Sequence, residues 1–188
     1  MVVESVDNVH TAAVTLIDAN RNPVAGVPVQ FAINGTAVAL GSTEVTTGAD
    51  GVALLHLASS TAGSSTVTAS VNGVAVQPGA GVSFAFVAGA PVVGEGGSSI
   101  TASTGAVEAN GKATHSVTVK AVDAFGNLVQ GAEVEFSLPE GLTPTGSVTG
   151  TTGADGTYRV LVSSTTARTY EVTATVNGEQ ITEAARPR

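Results

Sequence analysis

The chain has 188 residues, a formal net charge of −8 with only 12% of residues charged, and neither cysteine nor tryptophan. An acidic, sparsely charged surface repels nucleic acid, and the missing cysteines exclude disulfides and thiol chemistry. Val, Ala, Thr, Gly and Ser dominate while Leu, Lys, Glu, Gln and Arg are scarce, which favours strands and argues against helices. No run approaches the roughly 20 apolar residues of a membrane-spanning helix, and Met1 is not followed by the charged and apolar regions of an export signal.

In chain order, Ala12, Val14 and Leu16 form the first alternating row, expected to face a core. A polar turn at Asp18–Asn22 leads to a second row, Val27, Val29, Phe31 and Ile33. The turn Thr46–Gly51 introduces a third, Ala53, Leu55 and Leu57. Val67, Ala69 and Val71 then point one way while Thr66, Thr68 and Ser70 point the other, and Asn72-Gly73 closes the strand. Asn-Gly and Asp-Gly pairs supply the positive φ values of tight hairpin turns. A last strand is expected at Val82–Val87.

These elements return without a gap 105 residues later. Asp18-Ala19, Asn22, Val24, Gly26, Val29 and Phe31 reappear as Asp123-Ala124, Asn127, Val129, Gly131, Val134 and Phe136. Thr46–Gly51 reappears as Thr151–Gly156, and Val71-Asn72-Gly73 as Val176-Asn177-Gly178. Between residues 10–73 and 115–178 about 26 of 64 positions are identical, so these are two copies of one unit. Its length suits a whole sandwich domain rather than a solenoid turn. The expected fold is all-β: two tandem immunoglobulin-like antiparallel β-sandwiches arranged end to end, over residues 1–88 and 99–188, with a Gly-rich linker at 89–98.

The phase of the repeat sets two further expectations. Only about nine residues precede His10, whereas Ser99–Val107 offers a strand ahead of the matching His115, so the first domain is expected to lack its opening strand. The counterpart of Val82–Val87 falls at 187–192, so the second is expected to have a truncated last strand, with further repeats or another chain completing the edges.

The runs Val119–Gly131, Thr152–Gly156 and Thr169–Gly178, with the junction Phe86–Pro91, resemble the bacterial immunoglobulin-like domains of group 1. These occur in tandem in the intimin and invasin class of outer-membrane adhesins, the inverse autotransporters. The resemblance covers essentially the whole chain. It implies stalk repeats on the cell surface that project a distal binding domain from a membrane-embedded barrel. The implied partners are neighbouring repeats and, through other domains, a host-cell receptor; nucleic acid binding and membrane insertion of this segment are not implied. Tyr170, two residues before inward Val172, sits where a tyrosine corner sets its hydroxyl against a loop backbone; the first copy has Ser65.

No catalytic, cofactor-binding or metal residue is assigned, no cofactor is expected, and the chain is not expected to be an enzyme. His10 and His115 share one repeat position and read as scaffold, and His56 as a structural strand residue. Asp18, Asn20 and Asn22 space oxygen ligands like the opening of a calcium loop, but Phe125 replaces Asn20 in the second copy, so an Asx turn is the better reading. Glu95 is too isolated to hold a cation. Lys112 and Lys120, the only lysines, lack counterparts in the first copy and do not suggest an isopeptide bond. The expected role is a spacer, each domain adding roughly 35–45 Å. Adhesion by the repeats themselves, and an accessory role in a phage or secreted enzyme, are the alternatives.

Overall fold

The computed structural model describes residues 1–6, 9–77 and 79–182, the strand at 2–6 by its backbone. The chain divides into two compact units, Met1–Val87 and Ala88–Arg188. Every regular element among the described residues is a strand.

In the first unit, β1 (Val2–Val6), β2 (Val9–Thr15), β4 (Val38–Ala39) and β6 (Val52–Ala58) form a sheet in the order β1-β2-β6-β4. Opposite it, β3 (Pro28–Gly35), β5 (Glu44–Thr46), β7 (Gly63–Val71) and β8 (Val74–Ala75) run β5-β3-β7-β8, with β9 (Val82–Phe86) also paired to β7. The second unit repeats this with β10 (Ser99–Ala102), β11 (His115–Lys120), β15 (Thr157–Ser163) and β13 (Thr143–Thr145) in one sheet. Its other sheet joins β14 (Thr149–Thr151), β12 (Glu133–Ser137), β16 (Thr173–Val176) and β17 (Glu179–Gln180).

Each pair of sheets closes on its own core. Ala12, Val14, Leu55 and Leu57 from one sheet meet Val29, Phe31, Val67 and Ala69 from the other; Val117, Val119, Val160 and Val162 meet Val134, Phe136, Val172 and Ala174 in the second unit. The period-2 rows are therefore the inward rows, as a sandwich requires. Burying such a side chain contributes about 1.5–3 kcal/mol, so these cores dominate the stability of each unit.

The two cores are packed differently at one point. Val45 and Ala53 of the first unit correspond to Gly150 and Tyr158 of the second. A Cβ on Gly150 would lie 2.4 Å from the Tyr158 ring, so the tyrosine lies over bare backbone. Its hydroxyl donates to Ser147 O (3.1 Å) and Thr149 O (2.9 Å), and its ring stacks on Phe136 with centroids 6.0 Å apart. Volume lost at one position is regained at its neighbour, the kind of exchange a close-packed core tolerates.

Asn72-Gly73 and Asn177-Gly178 take positive φ at both residues (49° and 79°; 49° and 81°), the hairpin geometry their sequence calls for. The Asp-Gly turns differ from expectation, because only Gly51 and Gly156 are left-handed. Asp50 and Asp155 instead use Oδ1 to accept the N–H two residues on, from Val52 and Thr157, both at 3.0 Å. Arg21, at φ 68°, stands where the second copy has Gly126 at φ 83°. A side chain there carries a cost that glycine avoids. Arg21→Gly is expected to stabilise the first unit by about 0.5–1 kcal/mol in denaturant titration, less than the full strain because glycine also loosens the unfolded chain.

Three expectations need correction or placement. The first unit does have an opening strand: β1 pairs with β2 from Val2↔Ala13 to Val6↔Val9. It lies outside the 105-residue correspondence, because β10 of the second unit matches no residue of this chain under that shift. The stretch 89–98, expected as a linker, is fastened to the second unit. Val92 N–H donates to Val122 O (2.9 Å) and Ser98 N–H to Val92 O (2.7 Å), while Ala88 and Val93 pack against the second core. Its backbone donors find partners on the second unit, so the Gly-rich composition does not leave it loose. The residues where a truncated last strand was expected, 187–188, lie outside the described residues.

Candidate functional site

Asp123 anchors the segment that leads into the second unit. Its Oδ1 accepts the N–H groups of Phe125 and Asn127, both at 2.9 Å, which makes an Asx turn. Oδ2 accepts the Asn127 amide (2.9 Å) and the Gly89 N–H (2.9 Å). Asp123 is 4% exposed. Burial pushes its pKa up, but the Asn127 amide and the Gly89, Asn127 and Phe125 N–H groups outweigh that and hold it at about 2. Beside it the Ser98 hydroxyl accepts the Val122 N–H (3.1 Å), and Val122 is 7% exposed.

Asp18 builds the same turn, accepting Asn20 N–H and Asn22 N–H on Oδ1 (both 2.8 Å) and the Asn22 amide on Oδ2 (3.0 Å). The Asn22 side chain and backbone lower its pKa. The Asx reading of this motif is what the geometry shows, in both copies and with Phe125 in the place of Asn20. Unlike Asp123, Asp18 is exposed, and Ile17 beside it is 58% exposed.

His10 begins β2 and His115 begins β11. His115 is buried, with Nδ1 3.0 Å from the Ser103 hydroxyl, which in turn accepts the Ser116 N–H (3.1 Å). Ser103 and His115 set a hydroxyl beside an imidazole, as Thr11 and His56 also do. No carboxylate orients the His115 imidazole among its described partners, and the serine is engaged with backbone, so the pair fastens two strands. His10 sits between Phe84 and Phe86, with ring centroids 4.7 and 4.8 Å away, and its Nε2 meets Ala85 O at 3.2 Å. His56 faces outward, with Nδ1 bonded to Thr11 Oγ1 (3.0 Å). Glu95, Lys112 and Lys120 are exposed. Among the described residues no group of three or more acidic, His or Cys side chains could hold a metal ion.

Tyr170 is buried, its hydroxyl donating to Thr166 O (3.1 Å) and lying 2.6 Å from Ser164 Oγ. This is the tyrosine-corner arrangement. The Arg168 guanidinium lies 4.6 Å from the ring centroid. In the first copy Ser65 is equally buried and accepts the Ala37 N–H (2.8 Å). Tyr170→Phe is expected to cost the second unit about 1 kcal/mol, the value of a hydroxyl whose partners stay solvated or re-pair, read as a lower unfolding midpoint. Between His115, Leu142, Val162 and Tyr170 lies a cleft of about 260 Å³. In the first unit the corresponding His10 is covered by Phe84 and Phe86, so this cleft lies where a sandwich packs a strand.

Sequence reading missed the Gly89–Asp123 and Ser98–Val122 contacts. The only signal was an Asp placed early in the second copy next to a Gly-Ala-Pro run, and such a run reads as a linker by composition.

Two antiparallel sandwiches of one topology, each closed by Asx and Asn-Gly turns, define tandem immunoglobulin-like domains. Residues 7–86 and 97–186 both match the family described as Bacterial Ig-like domain (group 1), and the chain belongs to that family. It is 33% identical over 151 residues to an inverse autotransporter adhesin, YeeJ, of Escherichia coli (strain K12), spanning 78% of this chain and 6% of that protein. The structure is similar to Yersinia pseudotuberculosis InvD (TM-score 0.69, 25% identity, 95% of this chain and 50% of the other). It is also similar to the Escherichia coli adhesin FdeC (TM-score 0.69, 28% identity, 96% and 58%). Invasin, a bacterial integrin-binding protein, matches at TM-score 0.52 and 27% identity, over 96% of this chain and 35% of that one. The chain thus spans a small part of the curated relative and little more than half, at most, of these structures.

Proposed function

We propose that these two domains are non-catalytic spacer repeats in the cell-surface region of a bacterial adhesin of the intimin and invasin type, where they carry a binding domain located elsewhere. The observation that supports this is where the two copies agree. Identities fall on core and turn positions, such as Val14 and Val119, Phe31 and Phe136, or Gly51 and Gly156. Most outward strand positions differ: Gln30, Ala32 and Leu54 correspond to Glu135, Ser137 and Arg159, all exposed, while Thr46 and Thr68 return as Thr151 and Thr173. A repeat kept for its fold needs the first set of positions, and a repeat kept for a shared ligand needs the second. Adhesion in the relatives is a property of proteins much longer than this chain, so receptor contact is assigned to other domains.

The test is binding of the purified chain to host-cell and matrix surfaces. Signal that rises linearly with concentration, no stronger than that of an unrelated sandwich of equal charge, is expected. Saturable, competable binding would place adhesion in the repeats and overturn the spacer reading.

A further inference from the structure

The two units differ along one edge in several features that share a direction. In the second unit β10 lies on β11 from Ser99↔Lys120 to Ala102↔Val117. Ser103 follows, donating its N–H to Ser116 O (2.9 Å) and placing its hydroxyl 3.0 Å from His115 Nδ1. Upstream, Ser98 and Val92 bond to Val122, and Gly89 donates to Asp123. One continuous stretch, Ala88–Ser103, thus supplies partners to His115, Ser116, Val122 and Asp123 along that edge.

The matching edge of the first unit, from His10 to Asp18, has the same groups and lacks those partners. Among the described residues His10 Nδ1 is buried with no hydrogen-bond partner, at the position where His115 meets Ser103. Ile17 is 58% exposed where Val122 is 7% exposed, and Asp18 is exposed where Asp123 is buried. The β1 ladder on β2 stops at Ala13, two residues short of Thr15, which corresponds to Lys120 at the end of the β10 ladder. An orphaned buried nitrogen at the start of β2, and an exposed apolar side chain and an exposed carboxylate just past its end, lie along one edge.

We propose that the His10–Asp18 edge of the first unit is a binding site for an extended segment with the chemistry of Ala88–Ser103, the stretch that joins one repeat to the next, and that Val2–Val6 is displaced when such a segment docks. The docked segment sets a Gly N–H on Asp18 Oδ2, covers Ile17, adds a strand along Thr15–Ala12 and brings a serine hydroxyl to His10 Nδ1. Recognition is by β-augmentation, with main-chain bonds giving affinity and the Asp, His and Ile positions giving register. The inference rests on the repeat reading above, but its test involves no adhesion and can fail independently of that reading.

The experiment duplicates Ala88–Gly105 ahead of Met1 in the full chain, which restores in the first unit the spacing found in the second. Hydrogen exchange and amide NMR are read site by site. At least tenfold slower exchange at Val14–Asp18, with faster exchange at Val2–Val6, is expected. Asp18→Ala in the extended chain should abolish most of that gain while leaving exchange in the second unit unchanged. Unaltered exchange at Val14–Asp18 with Val2–Val6 still protected overturns the proposal, as does docking of the added segment on the second unit in place of its own Ala88–Ser103. A synthetic peptide of residues 88–103 gives the intermolecular version: saturable shifts at His10, Ile17 and Asp18 support the site, and their absence at millimolar peptide, in a chain also lacking residues 1–6, counts against it.

Discussion

Asp123→Ala is expected to destabilise the second unit by about 3 kcal/mol and to free residues 88–92 to exchange their amide hydrogens. The carboxylate accepts from Gly89, Phe125 and Asn127 N–H groups and from the Asn127 side chain, in a place where Asp123 is 4% exposed. Removing it leaves several donors to find water or remain unpaired, at about 1–3 kcal/mol for each that stays buried. Asp18→Ala, at an exposed copy of the same turn, should cost clearly less, since its donors turn to solvent. The difference between the two variants measures what the docked segment adds.

The same residue sets an acid limit. Its folded pKa, about 2, lies below its ordinary 3.8, so the folded state favours the ionised form. The stabilisation is full above about pH 4 and is lost as pH falls through about 2. With allowance for solvent screening it amounts to about 1–2 kcal/mol. Chemical unfolding followed from about pH 5 to pH 2 should show the second unit losing this amount, and Asp123→Asn should remove that part of the slope.

What could be read from the chain alone follows from what repeats. The inward rows, the Asn-Gly hairpins and the Asx turn at Asp18 occur twice, and a feature kept at two places under different neighbours reports its own physics. Phe31 and Phe136 could be placed in cores because alternation fixes the face of a strand. The junction occurs once, so nothing separated a docked Gly89–Ser98 from a loose one; composition favoured loose, and a single carboxylate with one serine hydroxyl decides otherwise. The strand at Val2–Val6 was hidden for a different reason. It pairs with β2 across an edge that the second unit fills with a segment further from His115 in sequence, so the repeat gave no template for it. The orphaned His10 nitrogen is likewise invisible in sequence, since His10 and His115 are identical and differ only in whether a serine is at hand.

Gly51→Ala should be strongly damaging to the first unit, costing about 3 kcal/mol. Gly51 has φ 72°, a region where an L side chain carries about 1–2 kcal/mol of strain. Space adds to this, because a Cβ there would lie 2.5 Å from Leu16 O and 3.0 Å from Pro23 Cβ. Leu16 cannot retreat cheaply: its N–H donates to Gly51 O (2.8 Å) and its carbonyl accepts the Val24 N–H (3.0 Å). The methyl group therefore pushes on the joint that ties the end of β2 to the start of β6 and to the Asx-turn strand. In the second unit the nearest obstacles at Gly156 are Ala121 O and Leu128 Cβ, both at 3.0 Å. A shift of a few tenths of an ångström relieves them, so Gly156→Ala should cost about 2 kcal/mol, mostly backbone strain. Unfolding each variant in denaturant while following unit-specific amides separates the two costs. Equal losses would mean that φ alone matters, and a larger loss at Gly51 would show that the close approach of Leu16 is what the glycine is kept for.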